Sequence, residues 1–488
     1  MTLSEAEIRA IVEGAADACS VRPPGAVELR RMLCGLTDFE FRAGQATPLV
    51  KLCETGARYG WRDLEAAINP NLLTQVSQKA RASLTRDLRR SLERLTRPCL
   101  ELERTSFGLA MTSIGILGGP SDKMADRIFL GDKPSHRLFS LFKKFPILAR
   151  LWSQLIFYWC RHVTEVLSRF MKDRSALSRA FLDGRPIKRI ADVRCSLSDP
   201  HRHGRTVMQL SFGAGAVIYK PRPGNGEWEW SSLVKWMNAQ SFQPRLRSGR
   251  VLRRKGYCWM ERIEAAPCQK AAARRFYERM GGMIAAACLV KAVDCHRDNI
   301  IISGEDPVLV DADALWHVSP GMKTQTPPLD VLYRTGFFPN SNPRSLQSRS
   351  SALRRPQMVQ YRREMINGFT RAWDCILGTK ERRRAFAKRL RRIQAHERRW
   401  IYRATEQYAA IRRASVQPVA LRSGVERHRI IARFCRHAPL ASEAIDAEIR
   451  ALKRLDIPYF VRTGKKRIVL NKASMLATVQ EALRRVLV

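Results

Sequence analysis

No part of this chain runs apolar for the length a membrane helix needs. The best stretch, residues 145–160, is interrupted by Arg150 and Gln154 and reads as a buried helix. The N-terminus has no basic segment feeding an apolar run, only the acidic and polar Leu3-Ser4-Glu5-Ala6-Glu7, so no signal peptide is expected. The 12 cysteines form no Cys-x-x-Cys pair, which argues against a disulfide framework or a compact zinc site and for a reducing, cytoplasmic setting. A zinc site assembled from distant Cys and His stays open. The Gly-rich Gly115-Ile116-Leu117-Gly118-Gly119-Pro120 lacks the Gly-Lys-Ser/Thr of a P-loop and reads as a turn. Zinc-finger spacing, an RNA-recognition aromatic pair and a basic zipper are also missing.

Acidic residues are scarce: 45 Asp and Glu face 87 Lys and Arg, a formal net charge of +42. Such a field attracts polyanions, so nucleic acid, ATP, an acidic leader peptide and an acidic partner protein all remain candidate partners. The cations are spread out, recurring over residues 81–104, 245–255 and 380–413 between apolar residues at helical spacing, as on solvated helix faces. A length of 488 residues with 45% hydrophobic content supports a substantial core and two or three structural regions. Residues 1–100 read as mainly helical, with breaks at Pro23-Pro24 and near Pro48, and the chain beyond about residue 360 is again mostly helical.

Chemistry concentrates in residues 199–313. Ser198-Asp199-Pro200-His201-Arg202-His203-Gly204 comes first, followed by an alternating apolar run, a Gly213-Ala214-Gly215 turn and a short strand ending in Tyr219-Lys220-Pro221-Arg222. Lys220 thus closes the returning arm of a hairpin, where a fixed ammonium can meet a phosphate oxygen. Residues 276–290 read as a core helix delivering Asp294-Cys295-His296-Arg297-Asp298-Asn299, followed by Ile300-Ile301-Ile302, a Gly304-Glu305-Asp306-Pro307 turn and Val308-Leu309-Val310-Asp311. A hairpin this short folds its ends together, so Asn299 and Asp311 can share a hard cation such as magnesium. Asp294 then stands where a carboxylate orients a hydroxyl or takes its proton during in-line phosphoryl transfer. His296 is either a loop-packing residue or a hydrogen-bonding partner of Asp294 or the nucleotide.

A lysine on an early hairpin, a loop with Asp and Asn five apart, and an Asp closing the next hairpin repeat the working order of protein and lipid kinases. The chain also resembles the dehydratase domain of the class II lanthipeptide synthetases, the LanM family. The resemblance runs over roughly residues 100–470, through SDPHRHGRTV (198–207), YKPR (219–222), YCWMERI (257–263), VDCHRDNIII (293–302), PVLVDADALW (307–316), RWIYRATEQYAAIRRASVQP (399–418) and ALKRLDIPYF (451–460). It implies an α+β fold with a two-lobed core like that of lipid kinases and helical additions at both ends. The expected regions are 1–100 helical, 101–340 catalytic and 341–488 helical with elimination residues. The implied activity is phosphorylation of Ser and Thr in a ribosomal precursor peptide with ATP and magnesium, then phosphate elimination to dehydroalanine or dehydrobutyrine.

On that resemblance Asp294 is the base, His296 supports its loop, Asn299 and Asp311 hold magnesium, and Lys220 contacts the nucleotide phosphates and assists elimination. Asp199, His201 and Glu261 line the nucleotide, and Arg399 and Thr405, six apart, serve elimination. By their three- and four-residue spacings Arg399, Arg403, Thr405 and Tyr408 fall near one helix face, with Arg399 and Thr405 off a strict three-four repeat. Full-length relatives carry a C-terminal zinc cyclase. This chain ends at Val488 without a Gly-x-x-His-Gly or Cys-His-Gly motif, so the expectation is no bound zinc and no unaided ring closure, with a separate cyclase as a candidate partner. Ser198 replaces a common Gly, Asp313 a common Glu, and the stretch between Pro339 and Gly368 is short for the family. A kinase without elimination, and a nonenzymatic basic adaptor or nucleic-acid-associated protein with a kinase-like shell, are the alternatives.

Overall fold

Helices dominate the chain, and the strands among its described residues gather into small sheets that close no barrel, giving a mainly helical α+β fold. The computed structural model describes residues 3–15, 25–36, 47–116, 128–129, 134–317, 328–338, 359–437, 440–463 and 472–485. The expected break at Pro23-Pro24, most of the turn at 115–120 and the short stretch from Pro339 to residue 358 lie outside them. The chain divides into two compact units, one built from residues 1–178, 185–215 and 403–458, the other from 179–184, 216–402 and 459–488.

In the first unit the basic run 81–104 lies within one long helix, Gln78–Ser113. Its apolar residues recur every three or four positions, and Leu84, Leu88, Leu92, Leu95 and Cys99 are buried while the arginines between them stay on the outer face. Helix Pro48–Ala67 packs on it with Pro48 at its first turn, where the missing N–H costs nothing. Helix Pro146–Phe181 contains the apolar stretch from Pro146 onward and buries Ile147, Leu148, Leu151 and Trp152. No helix among the described residues is long and apolar enough to cross a membrane. Strand β1 (Asp192–Arg194) pairs antiparallel with β2 (Met208–Phe212). Helices Thr405–Ala414, Gly424–Arg436 and Ser442–Lys453 enclose a small core of Tyr408, Ile411, Ile431, Cys435, Ile449, Leu452 and Ile457.

The second unit carries an antiparallel ladder in which β5 (Tyr257–Glu261) lies between β3 (Gly215–Lys220) and β4 (Val251–Arg254). The basic run 245–255 therefore sits on a loop and a strand, not on the helix its spacing suggested; the pairing of Val251–Arg254 with Tyr257–Glu261 claims that backbone. Helix Ala273–Leu289 is buried along nearly its whole length. It packs against helix Arg362–Leu377 so closely that a Cβ on Gly281 would lie 1.9 Å from the Met365 carbonyl oxygen, and one on Gly368 1.8 Å from that of Glu278. Around them Phe276, Ile284, Leu332, Phe337, Phe369 and Trp373 form the principal core, each such buried side chain contributing about 1.5–3 kcal/mol. The helix ends at the Asp294 loop, followed by the hairpin of β6 (Ile300–Ser303) and β7 (Asp306–Leu309). A last ladder joins β8 (Arg398–Trp400) to β9 (Phe460–Arg462).

Candidate functional site

Lys220 reaches the second unit's polar centre because β3 is pinned by aromatic packing: Tyr219 stacks edge-on against Trp259 at 5.1 Å, and alternation turns the next side chain to the opposite face. There the Lys220 ammonium donates to Glu227 Oε1 at 3.0 Å and to the Val310 carbonyl at 2.7 Å, with Asp311 Oδ1 at 3.5 Å. Glu227 lies in the first turn of helix Asn225–Ala239, right after Gly226; a Cβ on that glycine would meet the Ala312 carbonyl oxygen at 1.9 Å. Glycine at 226 is thus what lets this helix end lie against the 311–313 segment.

Arg222 completes the charge lattice, reaching Glu227 Oε1 and Asp311 Oδ1 at 2.5 Å each and Asp313 Oδ2 at 3.5 Å. Burial works against ionising Asp311, yet Arg222, Lys220 and Arg399 hold its carboxyl well below the usual range. Asp313 responds in the opposite direction. Burial, opposed by Arg222 and Arg399 but reinforced by Asp311, pushes it up to about 6. The Tyr459 hydroxyl donates to Asp313 Oδ2 at 3.3 Å.

The Asp294 loop is held from both sides. Asp294 has φ +66°, a left-handed conformation that Asp tolerates at some cost. The Asn299 side-chain amide donates to the Asp294 carbonyl at 2.7 Å, which directs Asn299 Oδ1 away from it, and the Asn299 carbonyl accepts from Val310 N at 2.9 Å. The hairpin thus brings Asn299 beside the segment leading into Asp311, as its length required. The Asp298 backbone N–H donates to His296 Nδ1 at 3.2 Å, so in the neutral ring the proton sits on Nε2, 3.2 Å from Asp294 Oδ1. Arg399 Nη1 lies 3.6 Å from Asp294 Oδ2 and 3.9 Å from Asp313 Oδ2, placed by β8 and by the Arg399 backbone N–H donating to the Asp313 carbonyl at 3.0 Å. A carboxylate flanked by an imidazole N–H and a guanidinium can orient and deprotonate a hydroxyl. One Asn oxygen and one Asp carboxylate suit a hard divalent cation that brings phosphate oxygens as its other ligands. Among the described residues no group of three or more His, Cys, Asp and Glu is gathered for a metal.

Glu261 lies across the ladder from Val217 and gives its carboxylate to Arg247 at 3.2 Å and to Arg250 N at 3.1 Å. Asp199, His201 and Thr405 belong to the first unit. There Arg412 is 3.9 Å from Asp199, and His201 Nδ1 is 2.7 Å from the Ile457 carbonyl. The shared helix face expected for Arg399, Arg403, Thr405 and Tyr408 does not form: Arg399 is on β8, paired with Val461, and the helix begins only at Thr405. Arg403 and Tyr408 do converge, both bonding the buried Glu448, at 2.9 and 2.6 Å from Oε1.

A family model described as a domain of unknown function, DUF4135, matches residues 145–355 and 345–463, well over half of the chain. The chain belongs to the DUF4135 family. It is also similar to a lacticin 481/lactococcin biosynthesis protein of Lactococcus lactis subsp. lactis, 19% identical over 381 residues. That similarity covers 65% of this chain and 40% of the relative, so the chain spans well under half of that protein's length. Both the Lys220 and the Asp294 clusters of this DUF4135 protein fall inside the matched segment. Sequence reasoning passed over Glu227 and gave Arg222 no role. A signal for Arg222 was its place in the quoted Tyr219-Lys220-Pro221-Arg222, whereas Glu227 carries no local pattern and is identified only by its contacts.

Proposed function

We propose that the chain is an ATP- and magnesium-dependent phosphotransferase acting on Ser or Thr hydroxyls of a ribosomally made precursor peptide, with phosphate elimination as its second half-reaction. The observation that carries this reading is the joining of Lys220, Glu227 and Asp311 by ion pairs within the unit that also holds Asp294, Asn299 and Arg399. Similarity to a lacticin 481/lactococcin biosynthesis protein supports the peptide as substrate class.

In the transfer step Asp294 accepts the hydroxyl proton as the new oxygen–phosphorus bond forms and the bond to the departing diphosphate breaks. His296 Nε2–H and Arg399 fix the Asp294 carboxylate toward the reacting oxygen. Asn299 Oδ1 and Asp311 would hold magnesium, which supplies charge compensation for the transferring phosphoryl group. Lys220, its ammonium kept charged against burial by Asp311 and Glu227, provides a fixed cation at the same place.

The test is incubation of a candidate precursor peptide with ATP and magnesium, read by mass spectrometry. Phosphorylation adds about 80 Da per site, and completed dehydration removes about 18 Da. No mass change and no binding of magnesium–ATP at low salt would overturn the reading. One observation favours transfer without elimination: Arg399 already serves the Asp294 cluster. If Arg399→Met lowers phosphorylation as much as dehydration, that second reading holds; if phosphopeptide accumulates, Arg399 belongs to elimination.

A further inference from the structure

Half of the cations on helix Lys380–Ala395 serve its own ends or its packing. Arg382 and Arg383 reach the Asp374 and Leu377 carbonyls at 3.5 and 2.8 Å, Arg389 Nη1 donates to Ser232 Oγ at 2.9 Å, and Arg392 lies 3.4 Å from Glu229 Oε2. The others, Lys380, Arg384, Lys388 and Arg391, are exposed, and their side chains have no partner among the described residues. At about 1.5 Å and 100° per residue they form one stripe about 16 Å long and about 80° wide. It lies opposite the buried Phe386 and Ile393.

A merely solvated helix face has no need of such a stripe. Helix Gln78–Ser113 repeats its spacing in Arg86, Arg90, Arg94 and Arg97, but Asp87, Glu93 and Glu101 stand among them, with Arg89 3.2 Å from Glu93 and Arg97 3.4 Å from Glu101. Helix Lys380–Ala395 has a single acid, Glu381, and places cations in its first turn, against the helix dipole. Like charges three and four residues apart repel, so the stripe weakens its own helix until an anion covers it. The one aromatic ring of this helix, Phe386, is buried, so the stripe offers charge without the stacking platform that single-stranded nucleic acid uses. Its place in the chain points the same way. Just past Ala395 the backbone enters β8, whose Arg399 lies at Asp294 within the same unit. The chain from Arg391 to Arg399 spans at most about 29 Å even when fully extended, a gap that about ten residues of peptide can cross.

We propose that Lys380, Arg384, Lys388 and Arg391 dock an acidic segment of the precursor peptide that lies outside its modified Ser and Thr residues. This docking role rests on the peptide-modifying reading and gives the substrate a second contact. Carboxylates at three- and four-residue spacing on the peptide match the stripe one to one. Docking there keeps acceptor hydroxyls near Asp294 at a high effective concentration. It raises affinity for the peptide and leaves the chemical step to the Asp294 and Lys220 clusters.

The test uses the full chain at low salt with two fluorescent synthetic peptides of about 20 residues, one carrying Glu at three- and four-residue spacing and the other Gln in place of each Glu. Fluorescence anisotropy should show binding of the Glu peptide alone. Neutralising the stripe with Lys380→Gln, Arg384→Gln, Lys388→Gln and Arg391→Gln together should weaken that binding about tenfold or more. Changing Arg86, Arg90, Arg94 and Arg97 to Gln removes the same charge and should alter it less than about twofold. No binding of the Glu peptide, or equal weakening by the two sets, would overturn the docking site. A DNA strand of about 20 nucleotides that binds through the stripe more tightly than the Glu peptide would replace the peptide with nucleic acid. With a candidate precursor, ATP and magnesium, the stripe variant should raise KM for the peptide about tenfold and keep kcat within about twofold. An unchanged KM, or a loss confined to kcat, would sink the role while the functional reading stands. Stripe-dependent binding of the Glu peptide by a chain that phosphorylates no precursor would overturn the functional reading and leave the acidic-peptide surface in place.

Discussion

His201 and His296 hold their imidazoles by opposite nitrogens. In the first unit His201 Nδ1 faces a carbonyl and must donate; in the second His296 Nδ1 faces the Asp298 backbone N–H and must accept. The first ring thereby carries its proton on Nδ1, the second on Nε2, which faces Asp294. The surroundings differ in the same way. The His201 turn is tied by backbone groups converging on one buried carboxylate, whereas the Asp294 site is balanced by opposed charges, Lys220, Arg222 and Arg399 against Glu227, Asp294, Asp311 and Asp313. Residue type alone does not assign a histidine its role; the backbone group opposite Nδ1 does.

The strongest way to break this contrast is to remove charge from the balanced site. Asp311→Asn leaves Arg222 and Lys220 short of a counter-charge and deletes a proposed metal ligand. Phosphoryl transfer should fall by about a thousandfold or more, because charge compensation is needed most in the transition state. Unfolding free energy should fall by about 3 kcal/mol, the cost of an unpaired buried charge. Transfer assays and denaturant titration measure the two, and a variant with normal transfer excludes Asp311 from the metal.

Amide replacements sharpen the comparison of the rings. His296→Gln places an N–H at the position of Nε2 and can still donate to Asp294, so transfer should stay within about tenfold of wild type, while His296→Ala should lose more. His201→Asn places an N–H at the position of Nδ1 and can keep the Ile457 link, but it has no basic nitrogen. His201→Ala loses that link, so in thermal melts His201→Asn should stay within about 1 kcal/mol of wild type and His201→Ala should lose more. Equal losses in His201→Asn and His201→Ala would show that the Ile457 link is not what holds the first ring.

A smaller effect is expected from Gly226→Ala. The added methyl would collide with the Ala312 carbonyl, push the start of helix Asn225–Ala239 outward and loosen the Glu227 contacts with Lys220 and Arg222, costing about 2 kcal/mol. Thermal melts would register that loss, and a fully stable variant would show that the close approach is not needed.

Much of the Asp294 half of this site was legible because its logic is local. A two-residue turn at Gly304-Glu305 forces Asn299 toward Asp311, and alternation delivers Lys220 from β3. What could not be read was the long-range pairing. Glu227 is identified by a helix packing on the 311–313 backbone, and Asp456 by the His203 and Gly204 N–H groups, about 250 residues earlier in the chain, that its carboxylate accepts. The helical reading of Arg399 with Thr405 failed because strand partners at 460–462 outcompete local periodicity over those few residues. Charge runs were equally ambiguous: the same Arg and Lys density marks a helix face at 81–104 and a strand with its loop at 245–255.

Within the charge-balanced site, Asp311 and Asp313 offer the finest contrast, since two carboxylates two residues apart titrate in opposite directions. Asp311, held low by Arg222 and Lys220 despite burial, adds stability that is complete above its unfolded value of 3.8 and is lost as pH falls through its folded value. Asp313, raised to about 6 chiefly by burial, binds its proton more tightly in the folded state, so its contribution is largest in acid and declines as pH rises from 3.8 toward 6. Between those values Asp311 contributes a constant, and the slope difference between wild type and Asp313→Asn isolates the second carboxylate. The variant should gain on the order of 3 kcal/mol relative to wild type across that window, read from denaturant midpoints at a series of pH values. A parallel pair of pH curves would mean that Arg222 and Arg399 neutralise Asp313 as fully as they do Asp311, and the contrast between the two carboxylates would collapse.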